Sequence, residues 1–137
     1  MLLPRGILVL PLALAAPLPA QTLADSGAFV VRLGRDTLAV ERYTRSPAEL
    51  RSDIVLRVPD ARRVRYVATL HGGAVSALDL AIEPLGDSGR PARGVMRFRG
   101  DTAVVDLTLH DGTRHVRVPA RVGAVPLAAF SHALIEQ

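Results

Sequence analysis

The stretch AFVVRLGRDTLAVERYT, residues 28–44, decides the fold because it has the pattern of a β-hairpin. Side chains alternate with a period of two on both sides of a turn at 34–36, as in two half-buried strands. Arg32 and Glu41 then become diagonal neighbours on the solvent-exposed face. Two strand pairings keep the apolar rows together on the other face: Leu33 with Leu38, and Val31 with Val40.

The same hairpin pattern returns 65 positions later. VVRL at 30–33 aligns without a gap with VMRF at 95–98. The same alignment places DT at 36–37 on DT at 101–102, and VE at 40–41 on VD at 105–106. The alignment predicts a second hairpin in which Arg97 and Asp106 occupy the exposed face. Exposed pairs of this kind mark the solvated face more than they stabilise the fold.

The length and composition indicate one small domain without disulfides. The chain has 137 residues, no cysteine and no tryptophan, and all 17 of its basic residues are arginine. Complete absence of lysine indicates GC-rich coding as much as an anion-binding surface, and the arginines are scattered through the strands. We therefore expect a mixed-charge, solvated sheet face and no nucleic-acid partner. Stability must come from burial and from the hydrogen-bond ladder.

The first twenty residues have the pattern of a secretory signal peptide. Arg5 precedes an apolar segment at 7–16 that is too short to span a bilayer. Small residues offer cleavage after Ala20 or after Ala15, and Pro17, close behind the earlier site, favours Ala20. The alternative is an uncleaved N-terminal anchor. No cysteine lies near the cleavage site for lipid attachment. The predicted product is secreted or periplasmic and at most peripheral to a membrane.

The mature chain is predicted to form an all-β domain over 28–125, preceded by a flexible leader at 21–27. Strands are expected at 49–58, 63–70, 75–82 and 115–118, with the second hairpin at 94–109. A helix is the alternative for 75–82. The segment 126–137 has the stripe of a short amphipathic helix, either complete or truncated at its C-terminus. The stripe contains Leu127, Phe130, Leu134 and Ile135.

Eight short strands with turns every eight to twelve residues predict an antiparallel meander, as a half-barrel, barrel or sandwich. One face is aliphatic, and it must be covered by the rest of the sheet, the terminal helix, a partner or a ligand. An eight-stranded outer-membrane barrel is disfavoured because the chain has no aromatic girdles.

Short motifs with a resemblance to hydrolase sites are explained better by turn chemistry. The loop 86–89, Gly-Asp-Ser-Gly, resembles the nucleophile loop of chymotrypsin-like proteases, with His71 and Asp79 preceding it in that family's order. Asp36 and Asp101 resemble the paired aspartates of aspartic proteases but lack the glycine of that motif. We assign no catalytic residue and no cofactor. The four histidines have no metal-ligand spacing, although His110 and His115 could face each other across a turn at Asp111-Gly112.

The pattern as a whole resembles exported bacterial β-meander proteins of unknown function. In architecture alone it resembles the half-barrel lipid carriers of the periplasm, whose apolar sheet holds acyl chains. That resemblance implies a non-enzymatic exported domain that binds an apolar small molecule or lipid. The alternatives are a small secreted hydrolase and a structural or protein-interaction module of the cell envelope. The inward row that lines the cavity, or forms the core, is Phe29, Val31, Leu33, Leu38, Val40, Leu56, Tyr66, Leu80, Phe98 and Leu107.

Overall fold

The computed structural model describes residues 24–57, 60–87, 89–121, 124 and 131–135. Eight strands form one open antiparallel sheet in meander order, so that each strand pairs only with its neighbours in sequence. The predicted all-β meander is confirmed, and segment 75–82 is a strand. The strands are β1 (Asp25–Leu33), β2 (Asp36–Arg45), β3 (Glu49–Leu56), β4 (Arg62–His71), β5 (Ala74–Pro84), β6 (Ala92–Arg99), β7 (Thr102–Leu109) and β8 (Gly112–Pro119).

The meander places alternate connections at opposite ends of the sheet. We call these the Gly34 end and the Gly100 end, after the glycines that turn the first and the repeated hairpin. Both glycines have φ of 62°, a conformation that costs glycine little. The Gly34 end carries the β1–β2, β3–β4, β5–β6 and β7–β8 connections, and the Gly100 end carries the other three.

The apolar residues form a core on one face of β3, β4 and β5, which we call the inner face. Leu50, Ile54, Val64, Tyr66 and Leu78 are each at most 4% exposed. Their alternation with exposed residues is the period-two pattern read from the sequence. Tyr66, predicted to point inward, is 2% exposed and belongs to this core.

The opposite, outer face carries a mixed-charge ladder, as predicted. Arg63 makes a bidentate contact with Asp53, which lowers the pKa of that carboxyl group mainly through hydrogen bonding. Arg65 contacts Glu83 on the neighbouring strand. These ion pairs are about half exposed, so each contributes little to stability.

The predicted register of the first hairpin is wrong. Val30 pairs with Val40, and Val31 with Ala39. The next residue, Arg32, pairs with Thr37, so Leu38 is the extra residue of a β-bulge in β2. The shift turns Val40 to the outer face and Glu41 to the inner face, where Glu41 is 3% exposed. A one-residue slip exchanges every side chain between faces, which is why the prediction for Arg32 and Glu41 failed.

With this register an aromatic stack lies on the inner face. The rings of Phe29 and Tyr43 lie 5.5 Å apart at 15°. Tyr43 pairs with Gly27, where a Cβ atom would lie 2.7 Å from the Tyr43 hydroxyl oxygen. Glycine therefore leaves the space for the ring. Asp25–Gly27, expected in the flexible leader, is part of β1.

The second hairpin keeps the predicted register, so the two hairpins differ. Met96 pairs with Val105 and Phe98 with Ala103 without a bulge. Arg97 and Asp106 share the outer face as expected, but Arg97 contacts Asp79 at 3.4 Å and Asp106 contacts His115 at 2.6 Å. The repeat therefore predicts the strands of both hairpins, but the pairing it implies holds only in the second.

A single helical turn, α1 (His132–Ile135), is the part of segment 126–137 that the structure describes as helical. Leu134 of the predicted apolar stripe is fully buried in the core. Leu127 and Phe130, together with residues 1–23, lie outside the described residues. Within the described part of the chain, no helix has the length and apolar character needed to cross a membrane.

Candidate functional site on the inner face

A buried polar cluster lies within the apolar inner face, centred on the carboxyl group of Glu41. The hydroxyl groups of Ser131 and Ser52 donate hydrogen bonds to its Oε1 atom at 2.6 and 2.7 Å, and the Tyr66 hydroxyl lies 3.3 Å away. The backbone N–H of Ala133 donates to Oε2 at 3.4 Å. One carboxyl group therefore joins β2, β3, β4 and the C-terminal segment. We call these residues, Glu41, Ser52, Tyr66 and Ser131, the Glu41 cluster.

Tyr66 completes the cluster from the central strand β4. Its hydroxyl oxygen lies 2.6 Å from Oγ of Ser131. Burial raises the pKa of Tyr66 to about 12. The hydrogen bond with Ser131 opposes this rise, and the proximity of Glu41 adds a smaller effect in the same direction as burial. The phenol is therefore held neutral as a hydrogen-bonding group.

Ser131 anchors the C-terminal segment to the sheet. Its Oγ atom accepts a hydrogen bond from the N–H of Leu134 at 3.2 Å, as a helix N-cap does. Ala133 and Leu134 pack against the core formed by β3, β4 and β5. Among the described residues, every buried side-chain nitrogen or oxygen atom has a hydrogen-bond partner. The Glu41 cluster therefore has hydrogen-bond partners for all its buried polar atoms, and it holds Ala133 and Leu134 against one half of the inner face.

The other half of the inner face, over β5 to β8, becomes progressively more exposed. One cross-strand row shows this: Ala68, Leu78, Met96, Val105 and Val116 are successive partners. Exposure is 0% at Ala68, 4% at Leu78 and 41% at Val116, with Met96 and Val105 half-buried. We call the half formed by β6, β7 and β8 the open half.

The predicted apolar row divides between these regions. Phe29, Leu56, Leu80 and Phe98 pack against the core, and Tyr66 belongs to it. On the open half, Leu107 lies beside Gly94, the cross-strand partner of Leu80. Val31 is half-buried opposite Ala39. Val40 is on the outer face, Leu33 is 71% exposed and Leu38 is the bulge residue, so these three do not extend the row.

The residues considered for hydrolysis are not brought together. His71 is at the Gly100 end of β4, whereas the loop 85–91 is at the Gly34 end, and Ser88 itself lies outside the described residues. Asp79 pairs with Val67, about 13 Å along the strand from His71 at the usual rise per residue. Asp36 and Asp101 also lie at opposite ends of the sheet.

The histidines that the sequence placed across a turn have different neighbours. His110 is in the β7–β8 turn, while His115 pairs with Asp106. Gly112, expected as a turn residue, begins β8 instead. Within the described ranges, no three side chains of His, Asp or Glu converge as metal ligands would.

The Glu41 cluster is the feature that sequence reasoning missed. Alternation placed Glu41 with the exposed charges because the bulge at Leu38 has no marker in the sequence. Ser131 offered one signal, since serine before an apolar segment is a helix N-cap residue. Comparison with protein families, curated proteins and solved structures found no match to this chain.

Proposed function

We propose that this protein is an exported, non-enzymatic β domain that binds an apolar ligand, such as a lipid of the cell envelope, on the open half of its inner face. The signal-like pattern of residues 1–20 supports export. The gradient of burial along the row from Ala68 to Val116 is the observation that carries the binding proposal. Exposed valines at the end of an otherwise buried row favour an apolar occupant.

The Glu41 cluster supports the same function, because it fixes the C-terminal segment on part of the inner face and so limits where a ligand can lie. Because Leu134 and Ala133 occupy the inner face over β3 to β5, the ligand has access to β6, β7 and β8. The row at Phe98 and Leu107 then contacts the ligand, whereas Tyr66 and Leu56 belong to the permanent core. The proposal therefore assigns the predicted row by region, to the core over β3 to β5 and to ligand contact over β6 to β8.

The experiment is a binding titration with an uncharged apolar dye, N-phenylnaphthylamine, whose fluorescence rises in apolar surroundings. The exported chain is expected to bind it, and Val116→Asp should weaken binding about tenfold by placing a charge on the open half. Val30→Asp is the matched control, since Val30 is 52% exposed on the outer face of the other edge strand. Equal binding by both variants, or no binding by the parent chain, would contradict the proposal.

A protein-interaction module is the second candidate, favoured by strand β8. All eight of its residues are exposed, and β7 is its one partner strand among the described residues. A free edge of this kind pairs with a strand of another protein in β-augmentation. Native mass spectrometry of the exported chain separates the candidates, because a co-purified lipid favours the first and a stoichiometric protein partner favours the second.

A further inference from the structure

We propose that a second copy of this chain pairs with the edge strand β1, so that two sheets join into one across a two-fold axis at Val30. The inference does not depend on the proposed function, because β1 is the edge opposite the open half. Among the described residues β2 is the one strand that pairs with β1, on one side of its backbone. The other side is a free edge of the kind that accepts a further strand.

Strand β1 exposes apolar side chains that a second strand would cover. Of the large apolar side chains that the structure describes, Leu33 and Val30 are the most exposed, at 71% and 52%. Val30 begins a row on the outer face, in which Val40 is its cross-strand partner and Val55 follows at 38% exposure. An exposed apolar row that ends at a sheet edge favours an interaction there. Strand β1 contains no proline, and the bulge of the first hairpin lies in β2, so the backbone of β1 is suited to pairing.

The charges of the first hairpin are complementary to those of a second copy. In antiparallel pairing about an axis at Val30, each residue faces the one that is equally far on the other side of position 30, so Asp25 faces Arg35. Asp25 begins β1, and Arg35 lies in the turn after its other end. Neither forms an ion pair with a described residue of its own chain. The dimer therefore gains one such pair at each end of the junction.

The apolar side chains also match in this register. Val30 meets Val30 of the second copy, so the outer valine rows of the two chains become continuous. Leu33 comes opposite Gly27, which has no side chain and lies beneath the ring of Tyr43. The exposed leucine therefore packs beside that ring. An axis one residue earlier would instead place Leu33 opposite the charged Asp25, which disfavours that register.

The other edge strand, β8, is poorly suited to the same pairing. It carries Arg114, His115 and Arg117 and no acidic residue, so two antiparallel copies would gather arginines without a carboxyl group from either strand. Its last residue, Pro119, has no N–H group to donate. Charged side chains and proline are features by which proteins protect an edge strand. Self-association is therefore assigned to β1.

Sedimentation equilibrium of the exported chain measures the self-association. The parent should form a dimer and no larger species, with a Kd in the micromolar range because an edge junction is a small interface. Val30→Asp sets two carboxylates against each other at the axis and should weaken the dimer at least about tenfold. Val116→Asp is the matched control, because it makes the same change at an exposed position of β8 and should leave the dimer unchanged. Circular dichroism of each variant establishes that the sheet is retained.

Exchange of the end charges tests the register. Asp25→Arg and Arg35→Asp should each weaken the dimer severalfold, because each creates like charges at both ends of the junction. The double variant restores opposite charges in exchanged order and should recover the Kd of the parent. Two substitutions that acted only within one chain would not compensate each other in this way. Failure of the double variant to recover the Kd would overturn the axis at Val30.

A parent chain that stays monomeric at millimolar concentration would overturn the inference. Oligomers that grow without limit would also overturn it, since they would indicate head-to-tail pairing of β1 with β8 of the next copy. Loss of the dimer in Val116→Asp but not in Val30→Asp would overturn it by assigning the junction to β8. Binding of N-phenylnaphthylamine should be retained by the monomeric Val30→Asp variant, so this inference and the proposed function can fail separately.

Discussion

Glu41 and Ser131 are separated by 90 positions in the chain, and the Ser131 hydroxyl donates to the Glu41 carboxyl group at 2.6 Å inside the apolar face. Both residues are 3% exposed. A buried carboxyl group is tolerated only where hydrogen bonds replace its water. Here three hydroxyl groups and a backbone N–H surround it, so the C-terminal segment and the sheet depend on each other.

Removal of the Glu41 carboxyl group should therefore destabilise the protein strongly. Glu41→Ala leaves Ser52, Tyr66 and Ser131 without their shared acceptor, and we expect a loss of about 3 kcal/mol in the free energy of unfolding. Glu83→Ala is the matched control, because Glu83 pairs with Arg65 on the exposed outer face and should cost at most about 0.5 kcal/mol. Urea unfolding measures both. Similar costs for the two variants would show that the cluster does not stabilise the fold.

The raised pKa of Tyr66 predicts a loss of stability at alkaline pH. In the unfolded chain the phenol titrates near its usual pKa of 10, and in the fold at about 12. Between these values the unfolded state loses the proton first, so stability is full below pH 10 and falls as the pH rises towards 12. Thermal unfolding measures this effect: between pH 10 and 12 the melting temperature of Tyr66→Phe should fall less steeply with pH than that of the parent chain. Parallel declines would rule out this origin of the pH dependence.

Leu134 should be required for covering the central strands. Its side chain is fully buried, so Leu134→Ala should cost about 2–5 kcal/mol and increase binding of a hydrophobic dye at the inner face. Leu85→Ala is the control, because Leu85 is 50% exposed in the β5–β6 connection, and its free energy of unfolding should change by at most about 0.5 kcal/mol. A Leu134→Ala variant as stable as the control would mean that the C-terminal segment is not part of the core.

Gly27 should not tolerate a side chain beneath Tyr43. Gly27→Ala places a Cβ atom 2.7–2.9 Å from three atoms of the tyrosine side chain, and we expect a cost of about 1–2 kcal/mol as the ring moves off Phe29. Gly86→Ala, where nothing lies within 4 Å, is the control. Near-ultraviolet circular dichroism reports the ring environment, and an unchanged signal with unchanged stability would refute the expectation.

The sequence predicted the strands well because alternation of burial is a local property. The central strands, with Leu50, Ile54, Val64 and Tyr66, follow the period of two without interruption. The pairing of the first hairpin depended instead on one bulge at Leu38, which is set by contacts of distant residues. The candidate site was missed for the same reason: Glu41 is satisfied by a serine that no local pattern connects with it.

The meander order has a consequence for the sequence of folding events. Each strand pairs with a neighbour in the chain, so the sheet forms through short loop closures, whereas the contact of Glu41 with Ser131 closes a long loop and forms late. Until residue 131 arrives, water takes the place of the Ser131 hydroxyl at the Glu41 carboxyl group, which lies on an otherwise apolar face. It then opposes the stacking of one unfinished sheet on another, since association would strip the water from its charge. We therefore expect the carboxyl group that completes the fold to oppose aggregation of the incomplete chain.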